Sequence, residues 1–502
     1  MVQDFGVNRE LAVAGLSLFV VGFAVGPLFW FVWPTDKDMV LLMSLLRAPL
    51  SELYGRQLIF FFSFGAFTAF NAATTAATNI QSVLVLRFLA GSFGSSPLTN
   101  AGAVVADMFE AKERGLALCL FSVAPFMGPG NPPQSAPSST LTLTLYTVLG
   151  PVAGGFLGAA TSWKWIEGLM AIFSGTMWLL GALSIPETYA PVILRKRAAT
   201  LSQTTGAPHR SKIDHDRGRT PLRKVLRTSL LRPWALLLCE PIVLLLSLYL
   251  AIVYGILYML FGAYPIVYQQ HRGWAPGVAG LPFLGVAVGM ALAALYNACY
   301  DNARYLRAAR TSGHAPPETR LPACIVGGAA LPVGLFWFAW TNGRGVPWPA
   351  SVAAGVPFGF GMVLVFMGAI NYLVDAYSVF AASVLAGSSV LRSLFGAAFP
   401  LFTAQMYGRL GIHWASTLAA FLSLLCLPFP WLFYRYGREV RVRCKYSAQA
   451  EALAREMREH DLDSTEDDTD VERGREAVSE PDTPPTELDE HKDEDLKQGG
   501  DA

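Results

Sequence analysis

Two arginines inside apolar stretches have the strongest chemical implications in this sequence. Arg87 lies in residues 83–91 and Arg392 in residues 390–396, and the rest of both segments carries no charge. A charged side chain at the centre of a membrane span costs about 2.5–3.5 kcal/mol on insertion scales, so each should face a cavity or a partner. The alternatives are snorkelling to the membrane surface for Arg87 and a structural ion pair for Arg392.

An acid and a base four residues apart can form a charge latch. Glu52 and Arg56 would share one face of a helix, and Gly55 permits a tight turn between them. A charged turn further on holds Asp107, which could pair with this latch, and Arg114, which would set the start of the next helix. The alternative is a solvated surface ion pair worth under about 1 kcal/mol.

A third pattern concerns close helix packing. Gly150, Pro151, Gly154 and Gly155 stand in one short apolar run. Glycines four residues apart let two helices approach closely, and the proline introduces a kink. The motif therefore predicts a contact between helices.

Aromatic and polar side chains suggest a binding cavity in the second half of the chain. Tyr254, Tyr258 and Phe261 follow the i, i+4, i+7 spacing of one helix face, and Asn371 and Asp375 lie on a later apolar stretch. Aromatic rings with a carboxylate suit a cation. Arg392 belongs to the same group of candidates, and ordinary helix packing is the alternative for the aromatic residues.

The composition requires these residues to be positioned by a membrane protein. Of the 502 residues, 53% are hydrophobic and 15% are charged, against about 25% charged in soluble domains. A net charge of +1 provides no basic excess for nucleic acid. Six scattered cysteines form no C-x-x-C pair, so neither a metal site nor a cofactor is predicted. Neither a His-box nor a G-x-S-x-G motif occurs, and an enzyme is not expected.

Eleven apolar stretches are long enough to cross about 30 Å of hydrocarbon as helices. We place them at residues 11–30, 58–78, 82–106, 115–160 (interrupted), 165–185, 241–268, 276–300, 322–341, 348–374, 380–407 and 414–434. The fold class predicted is therefore an all-α integral membrane bundle.

The distribution of Lys and Arg orients this bundle. Residues 186–240 form a long basic segment that we expect to be cytoplasmic. It separates an N-terminal half (1–185, five spans) from a C-terminal half (241–434, six spans), and residues 435–502 are predicted to be a disordered cytoplasmic tail. An odd number of spans then puts the N-terminus outside.

Several motifs resemble those of the major facilitator superfamily. Residues 48–57 (APLSELYGRQ) resemble its G-x-L-a-D-r-x-G-r-r signature, although Gln57 replaces a base, and residues 150–155 resemble the G-P-x-x-G-G motif of its proton-coupled antiporters. Residues 87–100, 186–191 and 371–377 are similar to the fungal drug:proton antiporter branch, which includes multidrug and polyamine exporters.

The resemblance implies a monomeric plasma-membrane antiporter whose two halves rock around a midplane cavity. Protons entering from outside would drive export of amphipathic or cationic compounds such as drugs, toxins or polyamines. Glu52, Arg56 and Asp107 would gate, and Arg87 would tune the proton site. The expected partners are the lipid bilayer, protons and a small-molecule substrate, with no nucleic acid.

The sequence also departs from this family. Members have twelve spans, and we expect the usual first helix, before residue 11, to be missing from this chain. Residues 31–47 and 130–147 interrupt motifs that the family writes continuously, which predicts retained introns and a missed first exon. The alternatives to a proton-coupled exporter are an uncoupled facilitator of a small metabolite and a transport-dead membrane scaffold.

Overall fold

All regular structure in the described part of the chain is helical. The computed structural model describes residues 2–29, 56–108, 154–158, 160–184, 186–209, 222–312, 316–343 and 345–452. Its elements there are α-helices with short π- and 3-10 turns, because a chain in lipid must pair its backbone groups within itself. The predicted all-α membrane fold class is confirmed.

The described residues of the first half include four long helices and one helical turn at Val2–Phe5. The helices are α1 (Arg9–Phe29), α2 (Arg56–Thr75), α3 (Ile80–Met108) and α4 (Trp163–Ser184). Helix α3 packs between α1 and α2, and α2 also packs on α4. Gly22 makes the α1–α3 approach possible, because a Cβ there would lie 2.6 Å from the carbonyl oxygen of Phe88.

The described residues of the basic segment between the halves include two helices. Helix α5 spans Ala190–Thr205 and ends at Gly206, whose φ of 69° is left-handed. Helix α6 spans Leu222–Cys239. Glu240, at the start of the next helix, is only 2% exposed, so the end of this segment packs onto the second half.

The second half begins with α7 (Pro241–Tyr264), which continues as a π-helix to His271. The other long helices are α8 (Phe283–Tyr296), α9 (Leu321–Thr341), α10 (Gly355–Ala376), α11 (Ala381–Cys426) and α12 (Pro428–Arg443). Short elements connect them: 3-10 turns at Val278–Gly280, Pro317–Arg320 and Ser378–Phe380, a π-helix at Asn297–Asp301, and α-helices at Asn302–Ser312 and Trp348–Ala353.

The core of the second half is built on α7 and α10. Helix α7 packs on α11, while α8 and α9 both pack on α10. Tyr249, Tyr268, Tyr372 and Tyr377 are fully buried between these helices. The Tyr268 hydroxyl lies 3.0 Å from Ser351 Oγ, which satisfies a polar group that would be costly to bury alone.

Six helices of the described residues are long and apolar enough to cross a membrane, with Glu10–Gly26 and Ile80–Ser95 as shorter apolar helices. The predicted spans 380–407 and 414–434 are not separated by a loop. One helical run continues through Gly411, where φ 73° and ψ 168° mark a kink between two helices. Of the interrupted span predicted at residues 115–160, the structure describes residues 154–158 and 160.

The prediction of a disordered tail from residue 435 onwards is wrong for residues 435–452. Residues 435–452 are almost entirely helical, and Arg441, Cys444 and Ala450 are buried there. The many charges of this segment indicated that it is exposed to solvent. Its buried arginine, Arg441, is instead paired with Glu318. Residues 453–502 lie outside the described residues.

The two halves meet along α1 and α11. Gln405 Nε2 of α11 donates to Glu10 Oε1 of α1 at 2.9 Å. Further along the same two helices, a Cβ on Gly396 of α11 would lie 3.3 Å from Val20 Cγ1 of α1. The glycine therefore allows the halves to approach each other beside the α7 aromatic residues.

Candidate transport site

Arg87 is paired with a carboxylate inside the helical bundle. Its guanidinium, on α3, forms an ion pair with Glu167 of α4, and lies 6.0 Å from the centre of the Phe19 ring of α1. The Glu167 side chain is 5% exposed, and its Oε2 has no hydrogen-bond partner among the described residues. The pair therefore places an acid and its counter-charge on two different helices, with one carboxylate oxygen left without a described hydrogen-bond partner.

This pairing bears on the snorkelling alternative for Arg87. A snorkelling arginine would direct its charge to the membrane surface, whereas Arg87 contacts a carboxylate 80 residues away on a neighbouring helix. Sequence reasoning missed Glu167, although an acidic residue inside a predicted span is itself a signal of a functional site.

Arg392 lies among aromatic rings on the inner side of the second half. Its guanidinium carbon is 5.4 Å from the centre of the Tyr254 ring and 5.6 Å from that of Phe366, within the range of cation–π attraction. Its hydrogen-bond partner among the described residues is Ser389 Oγ, at 3.4 Å. The structural ion pair considered for this arginine is not formed with any described carboxylate.

The predicted aromatic stripe on α7 is one connected cluster. The Tyr254 hydroxyl donates to the Tyr258 hydroxyl at 3.2 Å, and the Tyr258 and Phe261 rings meet edge to face with centres 5.6 Å apart. All three side chains are partly exposed, whereas most residues between them are buried. Phe261 also stacks on Phe283 of α8, so packing explains part of the stripe.

The two predicted polar cavity residues on α10 differ from these aromatic residues in burial and in their partners. Asn371 is buried, five residues beyond Phe366. Asp375 accepts from Arg320 Nε at 3.1 Å and lies nine residues beyond Phe366, which is about 13 Å along a helix. The structure therefore places Asp375 in an ion pair at the end of α10, and the cation site expected from this carboxylate and the α7 rings is not assembled.

Asp375 belongs to a cluster of charges that sequence reasoning did not assemble. The C-half charge cluster contains Asp301, Arg304, Glu318, Arg320, Asp375 and Arg441. Arg441 of α12 donates to both Glu318 carboxylate oxygens, at 3.0 and 3.2 Å. Arg320 lies 3.4 Å from the centre of the Tyr305 ring. The pairs made by Arg320 and Arg441 tie the start of α9 to the ends of α10 and α12.

The glycine motif provides a contact between the halves. A Cβ on Gly155 would lie 2.7 Å from the carbonyl oxygen of Pro276, and one on Gly277 would lie 2.5 Å from the Phe156 ring. A Cβ on Gly154 would meet nothing within 4 Å. In the described part of the motif Gly155 makes a close approach, to the turn at residues 276–277 rather than to a helix, while Gly150 and Pro151 lie outside the described residues.

The predicted cytoplasmic gate lies mostly outside the described residues. Glu52, Gly55 and Arg114 fall there, and Arg56 and Asp107 are described only as backbone of α2 and α3. One neighbouring contact is present: the backbone N–H of Gln57 donates to Glu187 Oε2 at 3.3 Å. The other oxygen of Glu187 accepts from the N–H groups of Thr188 and Tyr189, so this acid joins the start of α2 to the segment after α4.

The sequence of the chain is similar to those of known proteins. The sequence profile of the Major Facilitator Superfamily matches residues 1–399. The chain is 54% identical over 472 residues to the MFS-type efflux pump MFS2 of Trichophyton rubrum, covering 94% of this chain and 73% of that protein. It is 51% identical to the major facilitator superfamily multidrug transporter mdrA of Aspergillus fumigatus, covering 91% and 69%.

A solved structure is similar in fold. The human organic anion transporter MFSD10 (TETRAN) superposes with a TM-score of 0.54 at 16% identity, covering 83% of each chain. At this identity the likeness bears on the helical architecture alone.

Proposed function

The chain belongs to the major facilitator superfamily and is a multi-pass membrane transporter rather than an enzyme; from that premise we propose that it is a proton-coupled antiporter. It exports small amphipathic compounds from the cytoplasm, across the plasma membrane, by alternating access of its two halves. The C-terminus faces the cytoplasm and the protein acts as a monomer. The names of the relatives, efflux pump and multidrug transporter, support the direction and the substrate range.

The observation that carries the coupling is the buried pair of Arg87 and Glu167. A proton carrier inside a membrane protein needs a titratable group shielded from lipid and a change in its counter-charge during the cycle. Glu167 meets the first condition, since its side chain is 5% exposed. Arg87 supplies the second, because rocking of α3 against α4 would alter the distance between the two charges.

The aromatic cluster on α7 provides the substrate surface. Tyr254, Tyr258 and Phe261 are partly exposed on one helix face, beside the contact of α1 with α11. Rings with hydroxyl groups bind amphipathic molecules by burying apolar area and donating a few hydrogen bonds. Opening and closing along the α1–α11 contact would expose this face to one side of the membrane at a time.

The test is accumulation of toxic compounds in a yeast strain that lacks its own drug pumps. The panel contains fluconazole, ethidium and 2-naphthoate, so that neutral, cationic and anionic compounds are all represented. Expression of the chain should lower the accumulation of at least one compound, and a protonophore should restore it. Glu167→Gln should abolish the effect, whereas Glu439→Gln, at an exposed carboxylate on α12, should not.

Two results would contradict this proposal. Efflux that is unchanged by the protonophore and by Glu167→Gln would favour the uncoupled facilitator. Unchanged accumulation of every compound, with the protein present in the membrane, would favour the transport-dead scaffold.

A further inference from the structure

An arginine surrounded by rings and lacking a described carboxylate partner needs an explanation. Charged side chains within membrane spans face the bundle interior or a cavity and pair with one another or with backbone carbonyl groups, as Arg87 does with Glu167. Arg392 has no acid within ion-pair distance among the described residues, and Ser389 Oγ at 3.4 Å is its one hydrogen-bond acceptor there. A guanidinium carries five N–H donors in a planar fork, so most of its donors point to none of the described acceptors.

The same arrangement disfavours a positively charged substrate. The rings of Tyr254 and Phe366 already face the guanidinium, at 5.4 and 5.6 Å. A second cation would compete for these faces and would be repelled by Arg392 at short range, with little solvent to screen it. Asp375, the carboxylate that could have offset this charge, is bound to Arg320.

We propose that Arg392 is the anchor for an anionic group of the substrate, so that the exported compounds are aromatic or amphipathic acids. The fork of N–H groups matches a carboxylate in two parallel hydrogen bonds. The Tyr258 hydroxyl accepts from Tyr254 at 3.2 Å and has its own proton to donate. The ring faces of Tyr254, Tyr258 and Phe261 then cover the apolar part of the ligand. This inference rests on the proposed function and specifies its substrate class.

The local packing holds Arg392 and Tyr254 in place. Arg392 and Gly396 are four residues apart on α11 and therefore share a face. A Cβ on Gly396 would come 2.8 Å from two atoms of the Tyr254 ring. The ring therefore packs directly against α11, beside the guanidinium. A change of packing between α7 and α11 during the cycle would therefore move both the charge and the ring.

The experiment measures binding of three shape-matched probes to the purified full chain in lipid nanodiscs at pH 7. The probes are 2-naphthoate, the neutral 2-naphthamide and the cationic 2-naphthylmethylamine, measured by calorimetry. The wild type should bind the acid at least about tenfold more tightly than the amide, as expected for a charge-assisted bidentate contact, and should bind the amine most weakly. Binding is measured without a proton gradient, so failure of coupling leaves this result intact.

Three variants locate the effect. Arg392→Gln should remove the preference for the acid and improve binding of the amine, because the ring faces become free for a cation. Arg392→Lys should keep part of the preference, since it retains the charge but not the fork. Arg409→Gln, which changes an exposed arginine on the same helical run, should bind all three probes as the wild type does.

The proposal is overturned if the wild type does not bind 2-naphthoate more tightly than 2-naphthamide. It is also overturned if Arg392→Gln weakens all three probes by the same factor, because Arg392 would then have only a structural role. If Arg392→Gln does not fold, the wild-type ranking and the Arg392→Lys ranking decide the question. A preference for the acid in a protein whose efflux ignores the protonophore would refute the coupling and leave the substrate class standing.

Discussion

Glu167 of α4 neutralises Arg87 of α3 within the helical bundle. Helices α3 and α4 both pack on α2, and the ion pair adds a direct link between them. Removing one partner of such a buried pair leaves an uncompensated charge, which costs about 3–5 kcal/mol.

We predict that Arg87→Gln and Glu167→Gln each lower the free energy of unfolding of the protein. For Arg87→Gln we expect a loss of about 3 kcal/mol, near the low end of that range, because the Arg87 side chain is 26% exposed. The double variant should lose less than the sum of the two, because neither charge is then left alone. Thermal unfolding in detergent measures all three. Strictly additive losses would show that the pair does not interact in the membrane protein.

Substitution at the glycine motif should separate the two glycines. Gly155→Ala should destabilise the contact between the halves by about 1–3 kcal/mol, the usual cost of overpacking, because its Cβ would lie 2.7 Å from the backbone oxygen of Pro276. Gly154→Ala is the matched control, with nothing within 4 Å. Transport and thermal stability of the two variants give the comparison, and equal effects would place the contact elsewhere.

Gly396 should be equally intolerant of a side chain. Gly396→Ala would push the Tyr254 ring, 2.8 Å from the new Cβ, away from Arg392, and we expect efflux to fall while the protein remains in the membrane. Gly408→Ala, on the same helix with open space around it, should be neutral or slightly stabilising, as alanine is favoured over glycine in helices. Loss of efflux in both variants would indicate a general sensitivity of α11.

The C-half charge cluster should protect the cysteine that follows α12. Cys444 is 7% exposed, and burial together with Glu240 raises the pKa of its thiol to about 12. The thiol is therefore protonated and unreactive at neutral pH, because the thiolate is the nucleophile. Reactivity should appear only as the pH rises towards that value.

Arg441→Gln should expose this thiol by removing both hydrogen bonds to Glu318. In a variant that retains Cys444 as its one cysteine, maleimide labelling at pH 7 should become faster by at least about tenfold, since local opening then needs less free energy. Arg443→Gln changes an exposed neighbour and should leave the rate unchanged. Rapid labelling before any substitution would contradict the burial of Cys444.

The sequence was sufficient for the fold class and for the two intramembrane arginines. Low charge and long apolar runs require helices in lipid, and a lone base within such a run is conspicuous. The partner of Arg87 was not found, because Glu167 lies close to Lys164 near the start of its span and resembles an interfacial charge. The pairing of Glu318 with Arg441, 123 residues apart, depends on how α9 and α12 pack and has no local signature.

The glycine residues illustrate the same limit. The glycine motif at residues 150–155 predicts a close helix contact, but the sequence does not say which glycine makes it or against what. The answer depends on the path of residues 276–277, more than a hundred positions further along the chain.

The contact of Glu240 with the last described helix has a practical consequence for handling the protein. One carboxylate oxygen accepts from the Tyr377 hydroxyl at 3.0 Å and the other from the backbone N–H of Tyr446 at 2.9 Å. Shortening the chain before Tyr446 would leave a buried acid half satisfied, whereas a fluorescent or affinity tag fused after residue 452 would spare it. Expression trials should therefore trim the acidic extension only beyond that point.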